Sequence, residues 1–598
     1  MPQNTVPERA QIAPQYQWKL TDIYPAPADW QREYEAIEAG IAAMDAVREV
    51  LSPNKESILA AYTAVDALSR KMVRVWGYAM TKHDEDEREP HAQAMYDRML
   101  SLDARVDAAT AFLAPALLQM PESLLQDCLA DPAFADFDRQ LFGLLRNRAH
   151  VLPAEQEALL AQAQEIGNAA QSTYELLTDA DMESPTIEGE DGQPILVTDA
   201  RMHTLLSGRD ARVRRDAWLA NMGSYARYGN TFASLYAASV KNDVFLARVR
   251  GFASARAHTL FNSETPETVY DALLDAVEER LPALHRYMRL KQKALGLEEL
   301  NLWDMYAETT RDFDLKLTYE EAFALVMEVL APLGDDYIAT LGEARDAGWV
   351  DAFENQGKYS GAYASMVYGV HSFVLMNFEG TLDSTSTLAH ELGHAMHDHL
   401  SAQKQPFAKY EYKAFAAEVA STLNEILLII HLLDRHPEPA AQQSLLGMLL
   451  EQFRGTVFHQ SMFAAFEKET HLMQERGEAL TQQALSDLYE SLNRRYYAGG
   501  CTVDPAVRAG WMRIPHFYCA FFVYLYATGF SAAVCIARKI LREGAPAVAG
   551  YRQFLEAGDA LSPIDALRLA GVDMETPEPV REALDWFKEL VGTFEKLV

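Results

Sequence analysis

The chain is organised around the segment Thr387-Leu388-Ala389-His390-Glu391-Leu392-Gly393-His394-Ala395-Met396-His397. Within it, His390, Glu391 and His394 form the pattern His-Glu-x-x-His. On an α-helix, residues four apart lie about 40° apart around the axis and about 6 Å along it. Two imidazoles so placed can bind one zinc ion at Zn–N distances of about 2.1 Å. Glu391, on the flank of that face, can act on a metal-bound water, so the pattern predicts two metal ligands and a general base.

The residues around this pattern predict a helix. Asp383 and Ser384 are favourable N-cap residues, and no proline follows before Leu400. Apolar residues then recur at helical spacing, namely Leu388, Leu392, Ala395 and Met396. The alternative is a pair of buried core histidines beside an exposed glutamate, and the helical context makes it the weaker interpretation.

A third ligand is predicted on the next helical segment, Lys413–Ile430. Glu418 lies there among apolar neighbours, where an unpaired carboxylate is costly, so we interpret it as a metal ligand. A surface position on a half-exposed helix is the alternative. Asn424 and Glu425 are candidates to orient the histidines through their free ring N–H groups. His397 is assigned an outer or structural role, because one ion cannot bridge all three histidines.

These residues resemble oligoendopeptidase F, a member of the thimet oligopeptidase superfamily of zinc peptidases. The resemblance covers nearly the whole chain. It rests on His390–His397 and Glu418–Glu425, and on three further motifs, Trp18–Tyr24, Leu375–Asp383 and Arg513–Tyr518. We therefore expect a mainly α-helical fold, with two helical lobes enclosing a deep substrate cleft and a small β-sheet beside the zinc helix.

The expected activity is zinc-dependent hydrolysis of internal peptide bonds in short unfolded oligopeptides. One Zn²⁺ per chain would be held by His390, His394 and Glu418, with water as the fourth ligand. Glu391 would take the proton of that water and later deliver it to the leaving amine.

Two other functions remain open. A dipeptide-releasing zinc carboxypeptidase of the same superfamily would need a cation for the substrate C-terminus, and Arg494, Arg495 or Arg513 could supply it. A metal-free binding protein on the peptidase scaffold is disfavoured, because every residue that the zinc chemistry needs is present.

A second electrophile is expected from the segment Trp511–Gly529. A tetrahedral oxyanion needs hydrogen-bond donors, and His or Tyr side chains can provide them. The resemblance implies that a His and a Tyr of this segment lie in the site. His516 is the predicted donor, and Tyr524, eight residues later, shares its helical face if the helix is continuous. Tyr518 is the competing candidate, and each tyrosine could instead be a packing residue.

The composition excludes several function classes. The 598 residues are 49% hydrophobic and 23% charged, as in a globular protein of two or more subdomains. A formal charge of −33 argues against nucleic acid as a partner and leaves oligopeptides as the expected one. Four unpatterned cysteines imply no disulfide framework and suit a reducing compartment.

We expect a cytoplasmic protein with no membrane partner. The N-terminal residues lack the basic and apolar regions of a signal peptide. The longest apolar runs, Ile426–Ile430 and Cys519–Phe530, are too short to span a bilayer.

Pattern changes along the chain predict three parts. Residues 1–183 read as an N-terminal helical domain, 184–198 as a hairpin or linker with a turn at Asp191-Gly192, and 199–598 as the catalytic domain. Between Gly357 and Gly380, two strand-like segments precede the zinc helix. Residues 372–378 could offer a sheet edge to an extended substrate or form a buried structural strand.

Three further stretches suggest functional roles. The arginine-rich stretches Arg209–Arg215 and Arg248–Arg256 predict salt-bridged helix faces or recognition of a peptide carboxylate. The segment Tyr496–Gly500 predicts a glycine-rich loop, and the resemblance implies that such a loop is mobile and lies near the substrate.

Overall fold

The computed structural model describes residues 6–310, 313 and 315–598. The described chain is mainly α-helical with two small sheets, which confirms the predicted fold class. The prediction that the chain has no signal peptide concerns its N-terminal segment, and residues 1–5 of that segment lie outside the described residues. The predicted boundaries at 183 and 198 stay a prediction.

Two compact units make up the chain, and each is built from three segments. The first unit comprises the chain up to Val151, Leu315–Leu428 and Ile536–Gly571. The second comprises Leu152–Asp314, Ile429–Cys535 and Val572–Val598.

The helices of the first unit come from all three of its chain segments. They are α1 (Pro27–Val50), α2 (Lys55–Glu85), α3 (Pro90–Thr110), α4 (Leu113–Leu118), α5 (Glu122–Leu129), α6 (Asp138–Asn147), α13 (Tyr319–Leu330), α14 (Asp335–Asp346), α15 (Leu382–Lys404), α16 (Ala414–Arg435, in this unit up to Leu428), α21 (Ala545–Leu555) and α22 (Pro563–Leu569).

The second unit contains the remaining helices. They are α7 (Ala154–Leu176), α8 (Asp199–Ser207), α9 (Ala211–Ala226), α10 (Gly229–Val249), α11 (Ala255–Asn262), α12 (Glu267–Ala294), α17 (Pro439–Gln452), α18 (Gln460–Glu475), α19 (Gln482–Tyr497), α20 (Tyr524–Glu543, in this unit up to Cys535) and α23 (Glu578–Phe594).

A three-stranded sheet lies against helix α15 in the first unit. Strands β3 (Val350–Asp351) and β4 (Tyr363–Met366) flank the central strand β5 (Ser372–Leu375), parallel and antiparallel to it respectively. The side-chain hydroxyl of Ser372 donates to the carbonyl oxygen of Ala395 in α15, at 3.2 Å. The predicted sheet beside the metal helix is therefore confirmed.

The hypothesis that residues 372–378 present a free sheet edge to substrate is wrong. Strand β5 is hydrogen-bonded on both sides, and all four of its residues are buried. Because β5 is the central strand, neighbouring strands cover both of its edges, and its mostly apolar side chains are buried on both faces. Strand β4, half-buried throughout, is an edge strand of this sheet.

The predicted hairpin is present in the second unit. Strand β1 (Thr186–Glu188) pairs antiparallel with β2 (Pro194–Leu196), with Ile187 opposite Ile195. The Asp191-Gly192 pair lies in the connecting turn, as its sequence indicates.

Helix α16 meets the length and composition of a membrane span, with a mean hydropathy of 1.5 over its most apolar window. However, 67% of that window is buried inside the protein. The helix also carries Glu418 and Glu425, whose carboxylates lie next to His390 of helix α15. We interpret α16 as a core helix.

Candidate active site

The N-cap of helix α15 lies two to three residues before the predicted Asp383 and Ser384. Thr381 is its N-cap, and its hydroxyl accepts a hydrogen bond from the backbone N–H of Ser384 at 3.1 Å. The Ser384 side chain in turn accepts from the Thr381 N–H at 3.0 Å, so the two residues form a reciprocal cap. Asp383 lies in the first turn, where its charge favours the helix dipole.

Helices α15 and α16 cross in close contact at Gly393. A Cβ atom there would lie 2.6 Å from Ser421 Cα and 2.7 Å from the Ala420 carbonyl oxygen, so only glycine permits this approach. Asn424, fully buried, donates from its side-chain amide to the carbonyl oxygen of Ala389 at 2.9 Å. Asn424 thus ties the two helices together and does not orient a histidine ring.

The crossing brings the three predicted ligands together. His390 Nε2 and His394 Nε2 lie 3.2 Å apart. Glu418 Oε2 lies 3.5 Å from His390 Nε2 and 3.7 Å from His394 Nε2. Two imidazole nitrogens and one carboxylate oxygen are the donor set of many catalytic zinc sites, and three protein ligands leave a position open. The residues therefore fit a zinc ion.

Glu425 orients His390, as the sequence predicts. The Nδ1–H of His390 donates to the Glu425 carboxylate, which leaves Nε2 free to bind a metal. Burial lowers the pKa of His390, but the Glu425 hydrogen bond and charge outweigh it, and the pKa is raised. Burial and the charge of His390 lower the pKa of His394.

Glu391 is buried, with 6% of its surface exposed. This burial, together with the charges of Glu418 and Glu425, raises the pKa of Glu391 to about 7, although His390 opposes the shift. A carboxyl group that titrates near neutrality suits a general base at physiological pH.

Ser421 is a contact that the sequence did not reveal. Its hydroxyl donates to Glu418 Oε2 at 3.2 Å and to the Glu418 backbone carbonyl at 3.1 Å. A serine three residues after the proposed ligand, on the same helix face, is the signal that could have identified it.

His397 has a structural role, as expected. Its ring stacks on Tyr412 at 3.6 Å between centroids and is 1% exposed. Burial lowers the pKa of His397 to about 3, so the ring is neutral. Tyr412 in turn donates to Asp398 at 2.7 Å.

The His516 segment belongs to the second unit, and its helix is not continuous. A 3-10 turn spans Pro515–Tyr518, Phe521 has a φ of +55°, and α20 begins only at Tyr524. The premise that His516 and Tyr524 share a continuous helical face is therefore wrong. The left-handed backbone at Phe521 interrupts any helix between them.

The structure places Tyr526, rather than either predicted tyrosine, beside His516. The Tyr526 hydroxyl lies 3.3 Å from His516 Nε2, at an exposed position. Burial raises the pKa of Tyr524 to about 12, and its hydroxyl interacts with Thr265. Tyr518 packs against Tyr174 at 4.6 Å between ring centroids.

Sequence spacing could not separate these tyrosines. On a regular helix Tyr524 would lie about 80° from His516 on one side, and Tyr526 about 80° from it on the other. The turn at Phe521, which spacing does not reveal, leaves Tyr526 and not Tyr524 next to His516.

Most of the arginines singled out in the sequence are engaged in the second unit. Arg214 forms a buried ion pair with Asp304 at 2.8 Å, which supports the salt-bridge interpretation of that stretch. Arg494 pairs with Glu490 on the same helix, and Arg495 pairs with Glu278 of helix α12. The Nε of Arg513, in contrast, is buried and has no hydrogen-bond partner among the described residues.

The predicted loop Tyr496–Gly500 is in part helical, because Tyr496 and Tyr497 end helix α19 and are buried. A Cβ atom at Gly500 would lie 2.5 Å from the carbonyl oxygen of His285. The glycine thus permits close packing on helix α12.

Comparisons with known families and proteins agree with this geometry. Residues 204–586 match the sequence pattern of Peptidase family M3, and residues 117–183 match that of Oligopeptidase F. The chain is 37% identical to Oligopeptidase PepF of Bacillus subtilis over 596 residues, which covers 100% of this chain and 89% of the relative. It is 34% identical to an Oligoendopeptidase F homolog of Lactococcus lactis subsp. lactis, covering 99% and 98% of the two chains.

Solved structures give the same result. The crystal structure of oligoendopeptidase-F from Enterococcus faecium superposes with a TM-score of 0.74 at 33% identity, covering 95% of this chain and 99% of that one. A protein from Chlamydophila abortus superposes with a TM-score of 0.93 at 32% identity, covering 99% and 100%. With two family patterns, full-length relatives and a His-His-Glu centre in agreement, the chain belongs to the oligoendopeptidase F group of peptidase family M3.

Proposed function

We propose that this peptidase is a zinc-dependent endopeptidase that hydrolyses internal bonds of short unfolded oligopeptides. The observation that carries the proposal is the convergence of His390, His394 and Glu418 next to the buried Glu391. When bound, zinc supplies Lewis-acid chemistry, which polarises a peptide carbonyl and lowers the pKa of water.

The protein side chains divide the remaining work. His390 and His394 would hold the zinc ion through Nε2 and Glu418 through its carboxylate. Glu425 holds His390 in the tautomer that this requires. Glu391 accepts the proton of the attacking water and gives it to the leaving amide nitrogen. The raised pKa of Glu391, about 7, supports both halves of this transfer.

We further propose that His516 and Tyr526 donate hydrogen bonds to the substrate carbonyl oxygen as its negative charge develops. Their side chains lie 3.3 Å apart at an exposed position, so each can meet a ligand. The resemblance noted for Arg513–Tyr518 supports His516, and the break before α20 favours Tyr526 over Tyr524 and Tyr518.

Short peptides are the proposed substrates, because the names of the relatives describe an oligopeptidase and oligoendopeptidases. Digestion of a mixed-length peptide library, followed by mass spectrometry, tests this proposal. Cleavage at internal bonds of peptides whose two ends are blocked is expected. Cleavage confined to the second bond from a free C-terminus would contradict the endopeptidase assignment.

A dipeptide-releasing carboxypeptidase is the second candidate, and Arg513 is the observation that favours it. Its buried Nε without a partner is suited to bind a carboxylate. Comparing the hydrolysis rates of peptides that end in a free carboxylate with those of the same peptides ending in an amide would distinguish the carboxypeptidase from the endopeptidase. Arg513→Gln should abolish a preference for the free acid if this candidate holds, whereas the paired Arg494→Gln serves as the control.

A further inference from the structure

The turn between His516 and Tyr526 contains an unfavourable backbone conformation. Phe521 has a φ of +55°, which is rare for a residue with a Cβ atom and is retained only where surrounding contacts enforce it. Phe521 is also buried, with 2% of its surface exposed. Contacts that hold this residue therefore determine how the chain enters helix α20.

Glu467 in helix α18 provides such a contact. Its Oε1 accepts a hydrogen bond from the backbone N–H of Phe521 at 2.8 Å. The Glu467 side chain is fully buried, and its Oε2 has no hydrogen-bond partner among the described residues. Burial raises the pKa of Glu467 well above its ordinary value.

Neighbouring rings pack against the Phe521 side chain in the same turn. His471 Nδ1 lies 2.8 Å from the backbone carbonyl oxygen of Glu467, and its Nε2 lies 3.2 Å from Asp243. The His471 ring lies 4.5 Å from the ring of Phe521, and the Tyr270 ring lies 5.8 Å from it. The Phe521 backbone is therefore fixed by the carboxyl group, and its side chain by two rings.

A buried carboxyl group and a left-handed phenylalanine are each costly, and they occur together at one turn. The turn sets where α20 begins, and thereby where Tyr526 stands relative to His516. We propose that Glu467 is a positioning residue, which fixes the Phe521 turn and so holds Tyr526 against His516. This inference rests on the proposed function, in which that pair assists hydrolysis.

The first test compares two substitutions at one position. Glu467→Gln keeps an oxygen that can accept the Phe521 N–H, whereas Glu467→Met fills a similar volume without an acceptor. We expect Glu467→Gln to keep kcat close to wild type. Glu467→Met should lower kcat about tenfold or more and leave KM nearly unchanged, because misplaced catalytic groups act in the transition state. An equal loss of kcat in both variants, or no loss in either, would refute the inference.

The control for general disturbance of α18 is Thr470→Val. Thr470 is buried on the same helix and lies 2.7 Å from the Tyr236 hydroxyl, but it does not hold the turn. It should lower the melting temperature without lowering kcat. If Glu467→Met does not fold, Glu467→Asp replaces it, since its shorter side chain cannot reach the Phe521 N–H, and the same loss of kcat is expected.

A double-mutant cycle with Tyr526→Phe separates positioning from an independent effect. If Glu467 acts through Tyr526, Glu467→Met should cost little further activity in the Tyr526→Phe background. Fully additive losses would contradict the inference. If Tyr526→Phe and His516→Gln both keep wild-type kcat, the proposed roles of that pair fail and the inference fails with them. If those two variants lose kcat and Glu467→Met does not, only the inference fails.

Discussion

The Ser421 hydroxyl makes a hydrogen bond to Glu418, one of the three proposed metal ligands. The hydroxyl donates to Glu418 Oε2, the oxygen that faces both histidines. Groups that hydrogen-bond to a metal-binding carboxylate fix its direction and strengthen metal binding. Ser421 is fully buried, so water does not easily replace its hydroxyl.

Ser421→Ala should therefore weaken zinc binding by about tenfold or more. Competition with a chelator of known affinity, followed by zinc analysis of the protein, measures the change. Glu418→Ala, which removes a ligand, should weaken binding further, and the adjacent Thr422→Val should leave it unchanged. Zinc affinity of Ser421→Ala equal to that of wild type would show that the hydrogen bond does not contribute.

The tyrosines near His516 give a second prediction. If Tyr526 donates to the developing oxyanion, Tyr526→Phe should lower kcat by about 10²- to 10³-fold with KM nearly unchanged. Tyr524→Phe should change kcat little, because that buried hydroxyl interacts with Thr265. Steady-state kinetics of the two variants on one peptide test this. A defect in Tyr524→Phe with normal Tyr526→Phe would reverse the assignment.

The crossing of α15 and α16 brings Glu418 to the two histidines of the helical motif, so the three proposed metal ligands lie together. Spacing within α15 predicts that His390 and His394 share a face, but Glu418 joins them only because Gly393 lets the second helix approach. The apolar pattern of each helix predicts the elements. The crossing point depends on the lack of a side chain at Gly393, which the apolar periodicity does not reveal.

Gly393→Ala should destabilise the protein by about 1–3 kcal/mol and weaken zinc binding, because the helices must separate to admit the methyl group. Gly143→Ala is the matched control: Gly143 is also helical, and no atom lies within 4 Å of its added Cβ. Its effect should be neutral or slightly stabilising. Denaturant titrations and zinc affinities of both variants measure the difference. Equal stability of the two would mean that the crossing tolerates a side chain.

Buried ion pairs, one of them between residues far apart in the sequence, stabilise the first unit. Asp351 at the end of β3 is fully buried and pairs with Lys358 at 2.7 Å and with Arg9. Lys358 also donates to the carbonyl oxygens of Phe353 and Met376. The helices and the sheet were predictable from apolar periodicity and glycine spacing. The pairing of Arg9 with a residue 342 positions later was not, because no local pattern links them.

Asp351→Asn should destabilise the protein by about 3–5 kcal/mol, because it leaves the Lys358 ammonium group buried without its counter-charge. The exposed Asp346→Asn, whose side chain is 67% exposed and pairs with Arg345, should change stability by less than about 1 kcal/mol. Urea unfolding of both variants at pH 7 measures the free energies. A small loss in Asp351→Asn would show that the network contributes little.

In the proposed mechanism, His390, His394 and Glu418 hold a catalytic metal while Glu391 moves the proton. The most direct measurement is the turnover of Glu391→Gln, together with its zinc content. The amide keeps the shape of the carboxyl group but cannot accept a proton, so zinc should stay at one per chain while kcat falls by about 10²- to 10⁴-fold. Zinc-loaded Glu391→Gln that retains more than about a tenth of wild-type turnover would rule out Glu391 as the general base.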